Sequence, residues 1–74
     1  MTITVNLFAS FRSGRFGKAQ RDYPAGTSLT EVLADIGIRQ EEVGMALVNS
    51  RHAAPDQALC DGDNLALFPL LGGG

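Results

Sequence analysis

Hydrophobic and polar residues alternate from residue 2 to residue 9, with Ile3, Val5 and Leu7 on one side. A period of two with β-branched residues predicts a strand. The glycine-bearing stretch Ser13 to Lys18 reads as a loop. Ala19 to Tyr23 is a weaker strand, ended by Pro24 and the Ala25-Gly26 turn, so the pair predicts a hairpin. The period then changes. Leu29, Val32, Leu33 and Ile36 fall at i, i+3, i+4 and i+7, one apolar helix stripe. Ser28 to Glu31 fits a capping box and Gly37 stands where a helix stop is expected, giving a helix of about ten residues. Met45 to Asn49 is apolar and too short for a helix, so it predicts a buried strand. Residues 51–60 read as an irregular crossing, Asp61-Gly62-Asp63 as a turn and Leu65 to Phe68 as the last strand, with Pro69 ending it. The order β-β-α-β-β predicts an α+β two-layer domain over residues 1–69, one helix covering one sheet face. The first and last strands are the most apolar and are expected to be central neighbours.

Composition narrows the function more than the fold. Seventy-four residues make one small domain, and such a chain buries only about 60% of its unfolded surface. Little material remains for a deep pocket, a cofactor cradle or a lid, so most self-contained enzymes are excluded. The net charge is -2 and the pI about 5.0, which gives no overall bias toward polyanions. Arg12, Arg15, Lys18 and Arg21 are nonetheless clustered with no acid among them. A solvated basic loop is the simpler reading, and a patch for an acidic partner or phosphate the alternative. Cys60 is the single cysteine, so it forms no internal disulfide and cannot supply a zinc site. No stretch approaches the roughly 20 apolar residues of a membrane helix and no signal pattern opens the sequence, which predicts a cytoplasmic protein that engages no membrane.

Familiar chemical motifs fail on spacing. Gly14 to Lys18 looks like a phosphate loop, but a working loop needs four residues between its glycines and a helix directly behind. Its G-x-x-G pattern also occurs in the RNA-clamping loop of KH modules, which lies between helices rather than strands. Nucleic-acid binding is therefore not expected. His52 has no nucleophile at a recognisable spacing and reads as a surface residue; Cys60 reads as a small packed hydrophobe. Asp61 and Asp63 read as turn chemistry rather than a cation site.

The residues after the last strand do not fit a folding role. Leu70 and Leu71 follow Pro69, and Gly72, Gly73 and Gly74 close the sequence. Glycine cannot pack a core and loses the most backbone entropy when ordered. A flexible tail over residues 70–74, thin enough to thread a partner's channel, accounts for this composition. A terminal carboxylate on Gly74 is ionised at neutral pH and can attack the α-phosphate of ATP, giving an acyl-adenylate open to sulfur or amine nucleophiles. Leu70 and Leu71 would anchor the partner beside Phe68 and Pro69.

At these residues the sequence resembles the MoaD/ThiS family of ubiquitin-like sulfur carriers, over essentially its whole length. Leu7-Phe8-Ala9 followed by Arg12 looks like the first strand and turn of molybdopterin synthase small subunits. Ala25 to Leu29 is similar to the family's helix start, and Asp61-Gly62-Asp63 to its turn before the last strand. The most specific match is Phe68-Pro69, three residues, then Gly73-Gly74.

The resemblance implies a β-grasp fold, with a mixed four- to five-stranded sheet and one main helix. It implies that an E1-like enzyme adenylates Gly74 with ATP and magnesium. A persulfide donor then makes a thiocarboxylate, which delivers sulfur in an active site on the molybdopterin synthase large subunit or its equivalent. The chain would be a co-substrate, binding no cofactor or metal, and not an enzyme. The stretch Gly37 to Met45 is shorter than is usual for the pterin branch, and a triple glycine is common in the thiamin carrier ThiS. Phe68-Pro69 and the long hairpin of residues 3–24 favour the pterin branch, whether molybdenum or tungsten is inserted later. A ubiquitin-like modifier joined through Gly74 to lysines, and a binding module with an inert tail, are the other readings. Phe8, Met45, Leu47 and Phe68 are candidates for a partner-facing sheet surface, although core is the simpler reading for each.

Overall fold

A computed structural model describes residues 1–70. Strand β1 (Thr2–Leu7) buries Ile3, Val5 and Leu7 and leaves Thr4 and Asn6 half-buried on the other side, as the alternation requires. It pairs antiparallel with β2 (Lys18–Asp22) and parallel with β5 (Asn64–Pro69). On the far side of β5 lies β3 (Val43–Val48), antiparallel to it, followed by the two-residue edge strand β4 (Arg51–His52). The sheet is therefore five-stranded and mixed, in the order β2-β1-β5-β3-β4. The two most apolar strands are central neighbours, as expected.

Register builds the core. Val5, Leu65 and Val48 form one cross-strand row on the same face, and Leu7, Leu67 and Ala46 the next. Helix α1 (Leu29–Ile36) lays Leu29, Val32 and Leu33 over these rows, while Phe11, Ile38 and Leu59 close the rim. Ser28 accepts from the Glu31 N–H at 3.2 Å, and the Glu31 carboxylate accepts from the Ser28 N–H at 3.0 Å, completing the capping box. Gly37 ends the helix at φ 89°, a left-handed conformation that suits a residue without a Cβ. The helix has eight residues, and Ile36 at its end is only half-buried.

Five expectations are corrected. The first strand ends at Leu7, because a 3₁₀ turn at Ala9–Arg12 swings Phe11 into the core, with Ala9 at φ 51°. The third strand begins at Val43, and Asn49 belongs to the turn that follows it. Residues 51–60 are not wholly irregular: Asn49 and Ser50, at φ 53° and 69°, make the left-handed turn that folds β4 back on β3. A two-residue strand has no periodicity to read. Cys60 is exposed rather than packed, since Leu59 takes the inward position.

Finally, the basic cluster is largely spoken for within the fold. Arg12 donates to the Leu7 carbonyl at 2.8 Å. Arg15 donates to the Gly37 carbonyl at 2.8 Å, placing positive charge at the helix C-terminus where the dipole favours it. Arg21 joins Asp35 at 2.9 Å and lies over the Phe16 ring.

Candidate functional site

Because β1 and β5 run parallel with Leu7 opposite Leu67, the next residues, Phe8 and Phe68, emerge side by side. Both point away from the helix, since alternation continues through the extended Phe8 backbone. Their rings stack at 4.3 Å between centroids, with 8° between planes. Met45 is paired with Phe68 and extends this row, while Ala66, Leu47 and His52 are paired in the next row on the same face. The four candidates Phe8, Met45, Leu47 and Phe68 are half-buried residues of the open sheet face and not part of the core. Period two already holds the signal: each is one residue removed from a core position, so each must face the other way.

The open face is graded along its strands. Phe8, Phe68, Met45, Leu47 and Ala66 concentrate apolar surface at the end where the chain leaves β5. Thr2, Thr4, Asn64 and Gln20 make the opposite end polar. Lys18 is exposed on the same face beside Asn6. Pro69 is half-buried and Leu70, at 63% exposure, is the most exposed large apolar side chain among the described residues. The Leu70 N–H still donates to the Glu42 carbonyl at 2.8 Å, so the backbone is tied to the sheet up to that residue. Sequence reasoning did not single out Glu42 or Gly44, two residues further on, which leaves no hydropathy signal. Leu71, Gly72, Gly73 and Gly74 lie outside the described residues.

The other sequence candidates lie outside this face's apolar end. His52 on the edge strand and Cys60 after the chain crossing are both exposed and line one open depression with Arg51 and Gln57. Asp61 accepts from the Thr2 N–H at 2.7 Å, and Asp63 from the Cys60 N–H and the Asn49 amide, at 2.8 and 2.9 Å. This is turn chemistry, and among the described residues no three His, Cys, Asp or Glu side chains stand together in a way that could hold a metal ion. Arg39 pairs with Glu41 and Glu42 at 3.8 and 3.4 Å on an exposed surface, where such pairs contribute little.

One polar cluster shifts its own titration. Arg21 and Tyr23 on the β2 side both donate to the Asp35 carboxylate of α1 at 2.9 Å. The Arg21 hydrogen bond, with that from Tyr23, holds the Asp35 carboxyl below its ordinary value. Burial, then the bond to Asp35, pushes the Tyr23 hydroxyl up. The cluster clasps helix to sheet and lies apart from the Phe8–Phe68 pair.

No helix among the described residues is long and apolar enough to cross a membrane. No curated protein matches the chain. Among solved structures, SAMP1 from Haloferax volcanii is 25% identical with a TM-score of 0.78, each chain covered in full. A protein described as molybdopterin converting factor subunit 1 from Pyrococcus furiosus is 25% identical with a TM-score of 0.77, covering 96% of this chain and 99% of that one. The Helicobacter pylori complex of molybdopterin-converting factor subunits 1 and 2 contains a chain of the same fold, 21% identical with a TM-score of 0.66 and full coverage of both. The ThiS family model matches residues 5–74, and so takes in both the sheet that carries Phe8 and Phe68 and the glycine end. The chain belongs to the ThiS family and is a ubiquitin-like sulfur carrier of the MoaD/ThiS type.

Proposed function

We propose that this carrier holds sulfur as a thiocarboxylate on Gly74 and delivers it in molybdopterin biosynthesis. The observation that carries the proposal is the family match running through to Gly74. In the first step the Gly74 carboxylate attacks the α-phosphate of ATP, held with magnesium by an E1-like enzyme, and pyrophosphate leaves. The terminal sulfur of a protein persulfide then attacks the acyl carbon and AMP leaves. A thiol cleaves the resulting acyl disulfide, freeing the thiocarboxylate and forming a second disulfide. Gly72 and Gly73 add no side-chain bulk between Leu71 and the reacting group, so the end fits a narrow channel. Phe68, Pro69, Leu70 and Leu71 dock the partner, together with the apolar end of the open face.

The Pyrococcus relative's description as subunit 1 of a molybdopterin converting factor favours the pterin branch, with a large subunit supplying the active site in the cytoplasm. The chain itself acts as co-substrate and not as enzyme. Incubation with the organism's adenylating enzyme, ATP, magnesium and a persulfide donor should replace one oxygen by sulfur in the intact mass. Deletion of Gly74 should abolish that exchange while leaving the fold unchanged. No mass change with the full chain would sink the proposal.

Likeness to SAMP1, a small archaeal modifier protein, supports a second reading in which a lysine amine takes the adenylate instead. Branched peptides carrying the chain end on lysine would favour that reading.

A further inference from the structure

Strands β3 and β5 do not pair evenly where the chain leaves the sheet. Met45 is opposite Phe68, but Val43 rather than Gly44 is opposite Pro69, leaving Gly44 as an extra residue in a β-bulge. The bulge reverses the phase of β3. In an even strand Val43 would share the open face with Met45; instead it packs against the core. Pro69 has no N–H, so the interrupted ladder sacrifices no donor on the β5 side at that residue.

Gly44 is not in the left-handed region, so backbone angles do not demand glycine there. Space does. A Cβ at Gly44 would lie 2.7 Å from the Pro69 carbonyl oxygen, 2.9 Å from the Leu70 Cα and 3.1 Å from the Leu70 nitrogen. All three are backbone atoms and cannot rotate aside. The Leu70 backbone thus rests on the bare α-carbon of Gly44 while its N–H is held by the Glu42 carbonyl at 2.8 Å. These contacts hold the chain at the point from which the glycine end departs.

We propose that Gly44 is a positioning residue for the chain end: lacking a side chain, it lets Pro69 and Leu70 lie against β3 and so fixes where the end leaves the sheet. The inference rests on the carrier reading, because only a chain end that must enter a partner benefits from a fixed point of departure. Gly44 touches no reacting atom and acts through Leu70. Fixing Leu70 before the encounter reduces the ordering cost of binding, a gain that appears in association and not in chemistry.

The test compares the wild-type chain with Gly44→Ala and with Val48→Ala, a core change away from the chain end. Amide hydrogen exchange at Leu70 is measured relative to Leu67, alongside pyrophosphate exchange with the organism's adenylating enzyme. In Gly44→Ala, Leu70 protection should fall about tenfold or more relative to Leu67, as expected for a local opening. The KM for the carrier should rise about tenfold with kcat changed less than about twofold. Val48→Ala should lower global stability without that selective loss.

Unchanged Leu70 protection and KM in a folded Gly44→Ala chain overturns the proposal, as does protection lost equally at Leu67. Should Gly44→Ala not fold, the wild-type chain still decides: a Leu70 amide exchanging like an unstructured one overturns the proposal. A wild-type chain that supports no pyrophosphate exchange overturns the carrier reading and the KM expectation, whereas a normal wild-type KM with an unmoved variant KM refutes the role of Gly44 alone.

Discussion

The two faces of the sheet use the same strands for different ends. On the helix side, Val5, Leu7, Leu65 and Leu67 are completely buried, and every row of side chains has a partner in α1 or the rim. On the open side, Thr4, Asn6, Ala66 and Phe68 alternate with them along the same backbone, and only the end near Leu70 is apolar. Stability is thus concentrated on one face, leaving the other free to be chosen for contact. A domain this small needs most of its apolar residues in the core. An apolar cluster placed outside the core, beside the exit of the chain, therefore points to a partner.

Substitutions can break or sharpen that contrast. The largest expected effect is on the helix side: Leu67→Ala should cost about 2–5 kcal/mol in denaturant unfolding, by lost burial and a cavity. A cost below about 1 kcal/mol would mean that the core is not concentrated there. Next comes its neighbour on the open face. Phe68→Ala should weaken association with the adenylating enzyme by about 2 kcal/mol, roughly 30-fold, if the face holds an anchoring residue. Its cost in stability should be close to the stacking contribution, about 0.5–1.5 kcal/mol. Calorimetric titration beside a melting curve separates the two, and large destabilisation with unchanged binding would erase the distinction between faces.

Smaller effects test the cover of the helix side. Ser28→Ala removes the helix cap and should lower stability by about 1 kcal/mol without altering association. Asp35→Asn tests the clasp from β2 to α1. The Asp35 carboxyl is held below its ordinary value chiefly by Arg21, so the folded pKa lies under the unfolded one of about 3.9. The clasp's contribution is therefore present above the unfolded value and lost as pH falls through the folded one. The melting temperature of wild type should exceed that of Asp35→Asn at neutral pH, and the gap should close in acid. A gap that stays constant with pH would show the clasp to be independent of the Asp35 charge.

Much of this arrangement was legible in the chain. The strand phases, the Ser28–Glu31 box and the Gly37 stop depend on neighbours within a few residues, and the structure places them close to expectation. The basic cluster reads as a solvated loop, and Arg12, Arg15 and Lys18 are exposed; what composition does not show is that Arg12, Arg15 and Arg21 also bond backbone carbonyls or a carboxylate on other elements. Carbonyls are present at every residue and leave no trace in composition. Phe68 is expected beside the partner anchors, yet core stays the simpler reading for Phe8 and Phe68 taken alone, because hydropathy gives a residue's preference for burial but not the face on which it falls.

By itself the sequence determined the alternation of β1 and β5, the position of the single helix and the glycine end, since each follows from local period or residue type. Tertiary structure alone decided that β1 lies parallel to β5, and hence that Phe8 stacks on Phe68 beside the departing chain. It alone decided the bulge that brings Gly44 against Pro69 and Leu70. The physical reason is range: a strand's inward and outward faces are set by its own backbone pleat, whereas its neighbours and register are set by the burial of residues about sixty positions apart.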